Sequence, residues 1–284
     1  MSSSLLSLLP PPSEARTGWP WTEETPPSVF LPAPAGGWPK ITIVCPSFRQ
    51  GKFLEETIRS VLLQNYPALE FIVIDGGSDD GTVALLKNYS AWISHWESMP
   101  DRGQSHAINK GCSRATGELI GWINSDDYYF PGAFAAIGRV FRVTPDRLIF
   151  GDWAERTSTE PILKLQRERP AFAFQVVVGA RHLPSHATFW PRAWHQPVNE
   201  TLRFTMDADL FKRLAASGLK PHYLPQPLGV FRRHPDAKTS TIVDVAQAES
   251  EAWGRTQPRF THVRWLVGRA LDRVLRLLYQ TRSD

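Results

Sequence analysis

At 284 residues, 42% hydrophobic and 21% charged, the chain has the balance of an ordinary globular protein, long enough to bury a core without covalent staples. A net charge of +4 is too slight for wholesale nucleic-acid binding, and Cys45 and Cys112 are too few and too far apart for a disulfide framework or a zinc knuckle. No apolar run approaches the roughly 20 residues of a membrane-spanning helix, and "LLSLL" (5–9) is short and lacks the basic flank of a signal peptide, so a cytoplasmic protein is expected.

Residues 1–39 form a Pro-rich leader, in which repeated prolines forbid long helices and central strands. Trp19, Trp21 and Trp38 argue that part of it lies against the domain, because exposed indoles waste apolar area. A regular pattern then begins. "ITIVC" (41–45) is a β-branched apolar run and predicts a strand; Leu54, Ile58, Val61 and Leu62 predict an amphipathic helix over 53–64; "FIVID" (71–75) predicts a second strand. These strands begin 30 residues apart, the length of a βαβ unit, so they should be parallel. "GGSDDGT" (76–82) opens a helix running through Tyr89, 93–98 is a third strand, 103–115 a helix, and "LIGWIN" (119–124) a fourth strand.

The second half is less regular. Strands are predicted at 148–154 and 186–191, a helix at 207–218, a short strand with a loop in 227–239, and a helix over 260–279 with an apolar stripe and arginines opposite. Residues 255–284 hold seven Arg against two Asp, a net of +5, which leaves −1 on the rest. Such a tail can lie on a membrane surface or pack on protein, its own domain or a second copy, and the first would place the protein peripherally on the inner face of the membrane.

Carboxylates follow three strand ends: Asp75, Asp101 and the pair Asp126–Asp127. In an α/β sheet these ends form the ligand crevice. Adjacent carboxylates repel, and a hard divalent ion shared with substrate phosphates would neutralise them. "DD" alone fits an Asx-turn or helix cap as well. Competing signatures fail: no lysine follows Gly81 as a P-loop requires, and there is no G-x-G-x-x-G after a strand, no H-E-x-x-H and no G-x-S-x-G.

The segments "ITIVCPSFRQGKFLEETIRSVLLQNYPALEFIVIDGGSDDGT" and "MPDRGQSHAINKGCSRATGELIGWINSDDYYFPGA" resemble the inverting family 2 glycosyltransferases of the GT-A fold, over about 41–240. The resemblance implies an α/β, Rossmann-like, mostly parallel twisted sheet flanked by helices. It divides the catalytic domain (40–240) into a nucleotide-binding half (40–135) and an acceptor half (136–240), followed by a basic helical segment (241–284). It implies transfer of a sugar from a nucleotide diphosphate sugar, a UDP-sugar being favoured, to a saccharide or lipid-linked hydroxyl acceptor in polysaccharide or glycoconjugate synthesis.

By the same resemblance, Asp126 and Asp127 match the motif that binds Mn²⁺ or Mg²⁺, with one of them also able to meet the nucleotide. Pro46 and Phe48 flank the base, and Asp75 contacts it, although Gly76 stands where the family often has a second aspartate. Asp101 and Arg102 match a loop that closes over the base. In "TMDADLFKRL" the general base falls on Asp207, with Asp209 its rival; residues i and i+2 of a helix point about 200° apart, so only one can face the site. In "FRRHPDAKT" His234 approaches the metal or diphosphate, and Arg232, Arg233 and Lys238 are within reach of phosphate. Two other readings stay open: a nucleotidyltransferase acting on a sugar phosphate, and a non-catalytic module that binds nucleotide sugars.

Overall fold

Every residue of Ile41–Ser47 is buried, as expected of a strand covered on both faces in a parallel sheet. In the computed structural model, which describes residues 4–12, 15–157, 163–255 and 266–275, this strand (β1) sits between two parallel neighbours, β2 (Leu69–Asp75) and β4 (Leu119–Trp122); β3 (His95–Ser98) extends the parallel set beyond β2. The connections are helical: α1 (Gly51–Leu62), α2 (Thr82–Tyr89) and α3 (Gln104–Arg114). Alternation along β1 sends Ile41, Ile43 and Cys45 into one core with Leu54, Ile58 and Leu86, and Val44 into a second with Ile108 and Trp122. Each fully buried aliphatic or aromatic side chain contributes roughly 1.5–3 kcal/mol relative to exposure. Both cysteines are buried and free.

Beyond β4 the sheet turns mixed. Short β5 (Tyr128–Tyr129) precedes helix α4 (Ala133–Val143); then come β6 (Arg147–Thr157), β7 (Lys164–Gln166), β8 (Thr188–Pro191), α5 (Met206–Ala216), β9 (Lys220–Arg233) and α6 (Val243–Arg255). The strand order is β3-β2-β1-β4-β8-β6-β9-β5, with β7 paired to β6; β8 runs antiparallel to both β4 and β6, and β9 parallel to β6.

The strand expected within 227–239 starts earlier, at Lys220, despite Pro221, Pro225 and Pro227. A register shift at Gly151/Asp152 absorbs the irregular stretch, and β5 pairs only at Gly229 and Val230. The rest of that side of β9 needs no ladder donors, so proline is tolerated there.

The leader is tied down. Arg59, 1% exposed, donates to the carbonyls of Pro10, Pro20 and Trp21 and to the Tyr89 hydroxyl. The Trp19 indole N–H donates to the Tyr129 carbonyl.

Of the helix expected over 260–279, residues 260–265 and 276–279 lie outside the described residues; 266–275 is helical. It docks by polar contacts rather than by its apolar stripe. Asp272 is buried against Arg169 and Arg181, and the Gly268 carbonyl accepts from Gln175, while Leu266, Val267 and Val274 stay exposed. Among the described residues no helix is long and apolar enough to cross a membrane.

Candidate active site

The carboxyl ends of β1 and β4, the loop after β3 and the start of α5 open on one cavity of about 1740 Å³. Drug-sized ligands occupy roughly 300–1,000 Å³, so there is room for two substrates. Pro46, Phe48, Asp101, Arg102, Asp126, Asp207 and Lys238 line it. Asp75, Asp127, Asp209, Arg233 and His234 are not on its wall, and each for a physical reason.

Asp75 is wholly buried and spent on its own loop. Its Oδ2 accepts from the N–H groups of Gly77 and Ser78 and from the Ser98 hydroxyl, and its Oδ1 from the Ser78 hydroxyl. Asp75, expected to contact the base, is thus placed in the turn after β2 and off the cavity wall. The carboxylate beside that turn is Asp101. At Gly76 an added Cβ would lie 3.3 Å from Asp101 Oδ2 and 3.2 Å from the Phe48 ring, so the glycine leaves room for Asp101 to reach this wall. Asp101 Oδ1 accepts from Gly103 N–H at 2.7 Å, and Arg102 reaches across to Glu200 at 2.7 Å. Phe48 is 54% exposed with the Arg49 guanidinium over its ring, an apolar face open to a planar ligand.

The adjacent aspartates split. Asp127 is fully buried; its Oδ1 accepts the Arg232 backbone N–H at 2.9 Å and its Oδ2 the Asn124 amide at 3.3 Å. Burial and the neighbouring Asp126 charge push its carboxyl well above the usual range. Asp127 fastens the end of β4 to β9, and of the two carboxylates expected to meet a cation it is Asp126 that lines the cavity. Asp126 Oδ2 lies 3.1 Å from His234 Nε2, and the imidazole packs on Phe53 with its Nδ1 buried and unpartnered. Among the described residues no three His, Cys, Asp or Glu side chains converge. Asp126 on the wall and His234 behind it are the side chains that could hold Mg²⁺ or Mn²⁺, ions whose remaining positions are commonly filled by substrate phosphate oxygens and water.

Asp207 and Asp209 also separate, as helical geometry requires. Asp207 lies in the first turn of α5 and faces the cavity, its Oδ1 accepting from Ala208 N–H at 2.7 Å. Burial raises its carboxyl to about 6. Asp209, the rival, points elsewhere: it pairs with Arg213 at 2.8 Å and does not line the cavity. Glu249 of α6 fixes the entry to α5: it accepts the backbone N–H groups of Arg203, Phe204 and Thr205 and the Thr205 hydroxyl.

Of the basic residues in "FRRHPDAKT", Arg233, expected within reach of phosphate, pairs with Glu155 and does not line the cavity. Arg232 is buried against Glu56. Lys238 stays on the wall, donating to Gln104 and to the Arg203 carbonyl. Burial, then the charge of Arg203, lowers its ammonium to about 8. Sequence reasoning missed Gln104 and Asn124, whose amides join at 2.6 Å under the site, and the aromatic wall of Trp153, His186 and Phe231. The available signal was a histidine beside a strand start in "SHATFWP", which was read only as strand.

The sequence profile of glycosyl transferase family 2 matches residues 42–197, more than half of the 284-residue chain. The chain belongs to that family. An uncharacterised glycosyltransferase of Mycobacterium tuberculosis strain H37Rv is 37% identical to this family 2 member over 92 residues, 32% of this chain and 35% of that one. One from Rickettsia typhi is 31% identical over 93 residues, 33% and 29% of the two chains. The matched segment thus spans about a third of these relatives' length. Among solved structures, S. aureus TarS 1–349 in complex with UDP-GlcNAc superposes with a TM-score of 0.59 at 16% identity, covering 71% of this chain and 61% of that one. TarS 1–349 without the sugar nucleotide in its description gives 0.58 at 14% identity, covering 68% and 60%. At such identity the likeness shows the fold, the mixed α/β GT-A architecture.

Proposed function

We propose that this family 2 member is an inverting, metal-dependent glycosyltransferase that moves a sugar from a nucleotide diphosphate sugar, UDP-linked in the favoured case, to a hydroxyl acceptor. The observation that carries the reading is the placing of Asp126 and Asp207 on one cavity large enough for two substrates.

Phe48 and Pro46 offer the base an apolar wall, with Asp101 and Arg102 at its edge. Lys238 supplies a cation toward the diphosphate. Asp126, supported by His234, would hold Mn²⁺ or Mg²⁺, which when bound would neutralise charge on the leaving diphosphate. Asp207 takes the proton from the acceptor hydroxyl as that oxygen attacks the anomeric carbon. A carboxylate raised to about 6 is still ionised at neutral pH and is a stronger base than an ordinary aspartate. One such displacement inverts the anomeric centre.

Family membership and the carboxylate geometry support this reading, as does the UDP-GlcNAc bound by TarS. A role in polysaccharide or glycoconjugate synthesis fits a saccharide or lipid-linked acceptor. The exposed Leu266, Val267 and Val274 fit an approach to the inner membrane face, which liposome co-sedimentation with and without residues 255–284 checks. The deciding experiment incubates the protein with UDP-, GDP- and dTDP-sugars, Mn²⁺ and a panel of saccharide acceptors. Release of nucleoside diphosphate with glycoside formation is expected, lost in Asp126→Asn. Pyrophosphate release would assign nucleotidyl transfer instead, and calorimetric nucleotide binding without turnover would assign a binding module.

A further inference from the structure

Another part of the cavity wall differs in chemistry from the part that carries Phe48 and Asp101. It is formed by Trp153 of β6, Phe231 of β9 and His186, which precedes β8. Their rings form one cluster: His186 stacks on Phe231 at 5.8 Å and 29°, and Trp153 stands edge-on to His186 at 5.2 Å and 77°.

The sheet register builds this cluster. Trp153 pairs with Gly229, and Glu155 with Phe231. Residues two apart on a strand share a face, so Trp153, Gly229 and Phe231 all point the same way. At Gly229 an added Cβ would sit 2.3 Å from the His186 carbonyl oxygen and 3.2 Å from its Cδ2. The missing side chain is the gap into which His186 settles. The Trp153 indole is held by its N–H donating to Glu168 at 3.1 Å. Burial drops the His186 imidazole to about 3, so the wall carries no charge at neutral pH.

We propose that Trp153 and Phe231, backed by the buried His186, form the seat for a sugar ring of the acceptor, and hence that the acceptor is a saccharide docking by the C–H face of a pyranose. Pyranose C–H groups are apolar and slightly positive, and they pack on the negative face of an aromatic ring while the hydroxyls stay free to hydrogen-bond. A nucleobase does not compete for this wall. Phe48 and Asp101 follow β1 and β3, whereas Trp153 stands on β6, beyond β4 and β8 in the sheet. Three strand spacings separate β1 from β6, roughly 14 Å. The proposal rests on the transferase reading, because it assigns the second substrate of the same cavity.

The test uses the full chain with methyl α- and β-pyranosides of glucose, galactose, mannose and N-acetylglucosamine as probes. Saturation-transfer NMR, with and without saturating UDP and Mn²⁺, reports which sugar protons touch protein. Calorimetry with UDP reports the nucleotide end separately. At least one pyranoside should receive saturation through its ring C–H protons. Trp153→Leu should cut that signal about fivefold or more, while Trp153→Phe, which keeps a ring, should retain most of it. Phe231→Leu guards against a Trp153 variant that fails to fold, with thermal unfolding run on all three. UDP affinity should hold within about twofold throughout.

No saturation of any pyranoside in the wild-type protein overturns the seat, as does equal saturation in folded Trp153→Leu and Phe231→Leu. Loss of UDP affinity in either variant would assign the rings to the nucleotide and overturn it too. Failure of the wild-type protein to bind UDP, GDP or dTDP would instead sink the transferase reading on its own, whatever the pyranosides do.

Discussion

The two halves of the domain reach the same cavity by different means. From β1 to β4, three of the four strands are followed within a few residues by the groups they deliver: Phe48 after β1, Asp101 after β3, Asp126 after β4. Local chain direction alone aims them at the strand ends. From β5 onward, placement depends on partners far away in sequence. Asp207 stands where it does because Glu249 holds the turn before it, and His186 because Gly229 makes room. The first half is a scaffold that any parallel βαβ sheet provides; the second is an assembly whose parts act only together.

The largest expected effect breaks the comparison on the acceptor side. Asp207→Asn should lower kcat by about 10³-fold with little change in donor KM, because removal of a general base costs roughly 10²–10⁴; steady-state kinetics on an active donor–acceptor pair checks it. Next in size is a change confined to the first half. Arg59→Met leaves buried carbonyls of Pro10, Pro20 and Trp21 without a donor, a loss of about 3 kcal/mol. Urea unfolding should show it, with the specific activity of the folded fraction unchanged.

Lys238→Met should weaken UDP binding about tenfold, the value of a charge-assisted contact, as calorimetry would read. It should also reshape the pH profile. Under the proposed mechanism Asp207 acts when deprotonated, so kcat/KM should rise with pH through about 6. Lys238 acts when protonated, so kcat/KM should fall as pH passes about 8. The variant should keep the acid limb and lose the alkaline one. The smallest effect sharpens the contrast within α5. Asp209→Asn removes only a pair with Arg213 on the far face, worth about 0.5 kcal/mol, and should leave kcat within about threefold.

How much of this was legible follows the same division. Strands 41–45 and 71–75 and the helix between them were readable because hydrophobic period and strand ends are local signals; β1 gains only two residues, Pro46 and Ser47, and β2 begins two earlier. The crossing of Asp207 and Asp209 to opposite faces followed from helical geometry. The direction of a side chain after a strand did not. Asp75 and Asp126 look alike in sequence, yet one is consumed by Gly77, Ser78 and Ser98 and the other meets His234, 108 positions away. Asp127 is likewise claimed by the backbone of Arg232, 105 positions on. The start of β9 was not legible: Pro221, Pro225 and Pro227 argue against a strand there, and only the sheet order shows that they stand on a side with few ladder partners.

The Glu249 contact has a consequence in time as well as in space. The carboxylate that steadies the approach to Asp207 is carried by a helix made after the whole sheet, β9 included. During synthesis the crevice for the nucleotide can be complete while the loop 203–205 still has open N–H groups. A chain truncated between residues 242 and 248 would keep the whole sheet and lack that carboxylate, and so would display the turn before Asp207 unset.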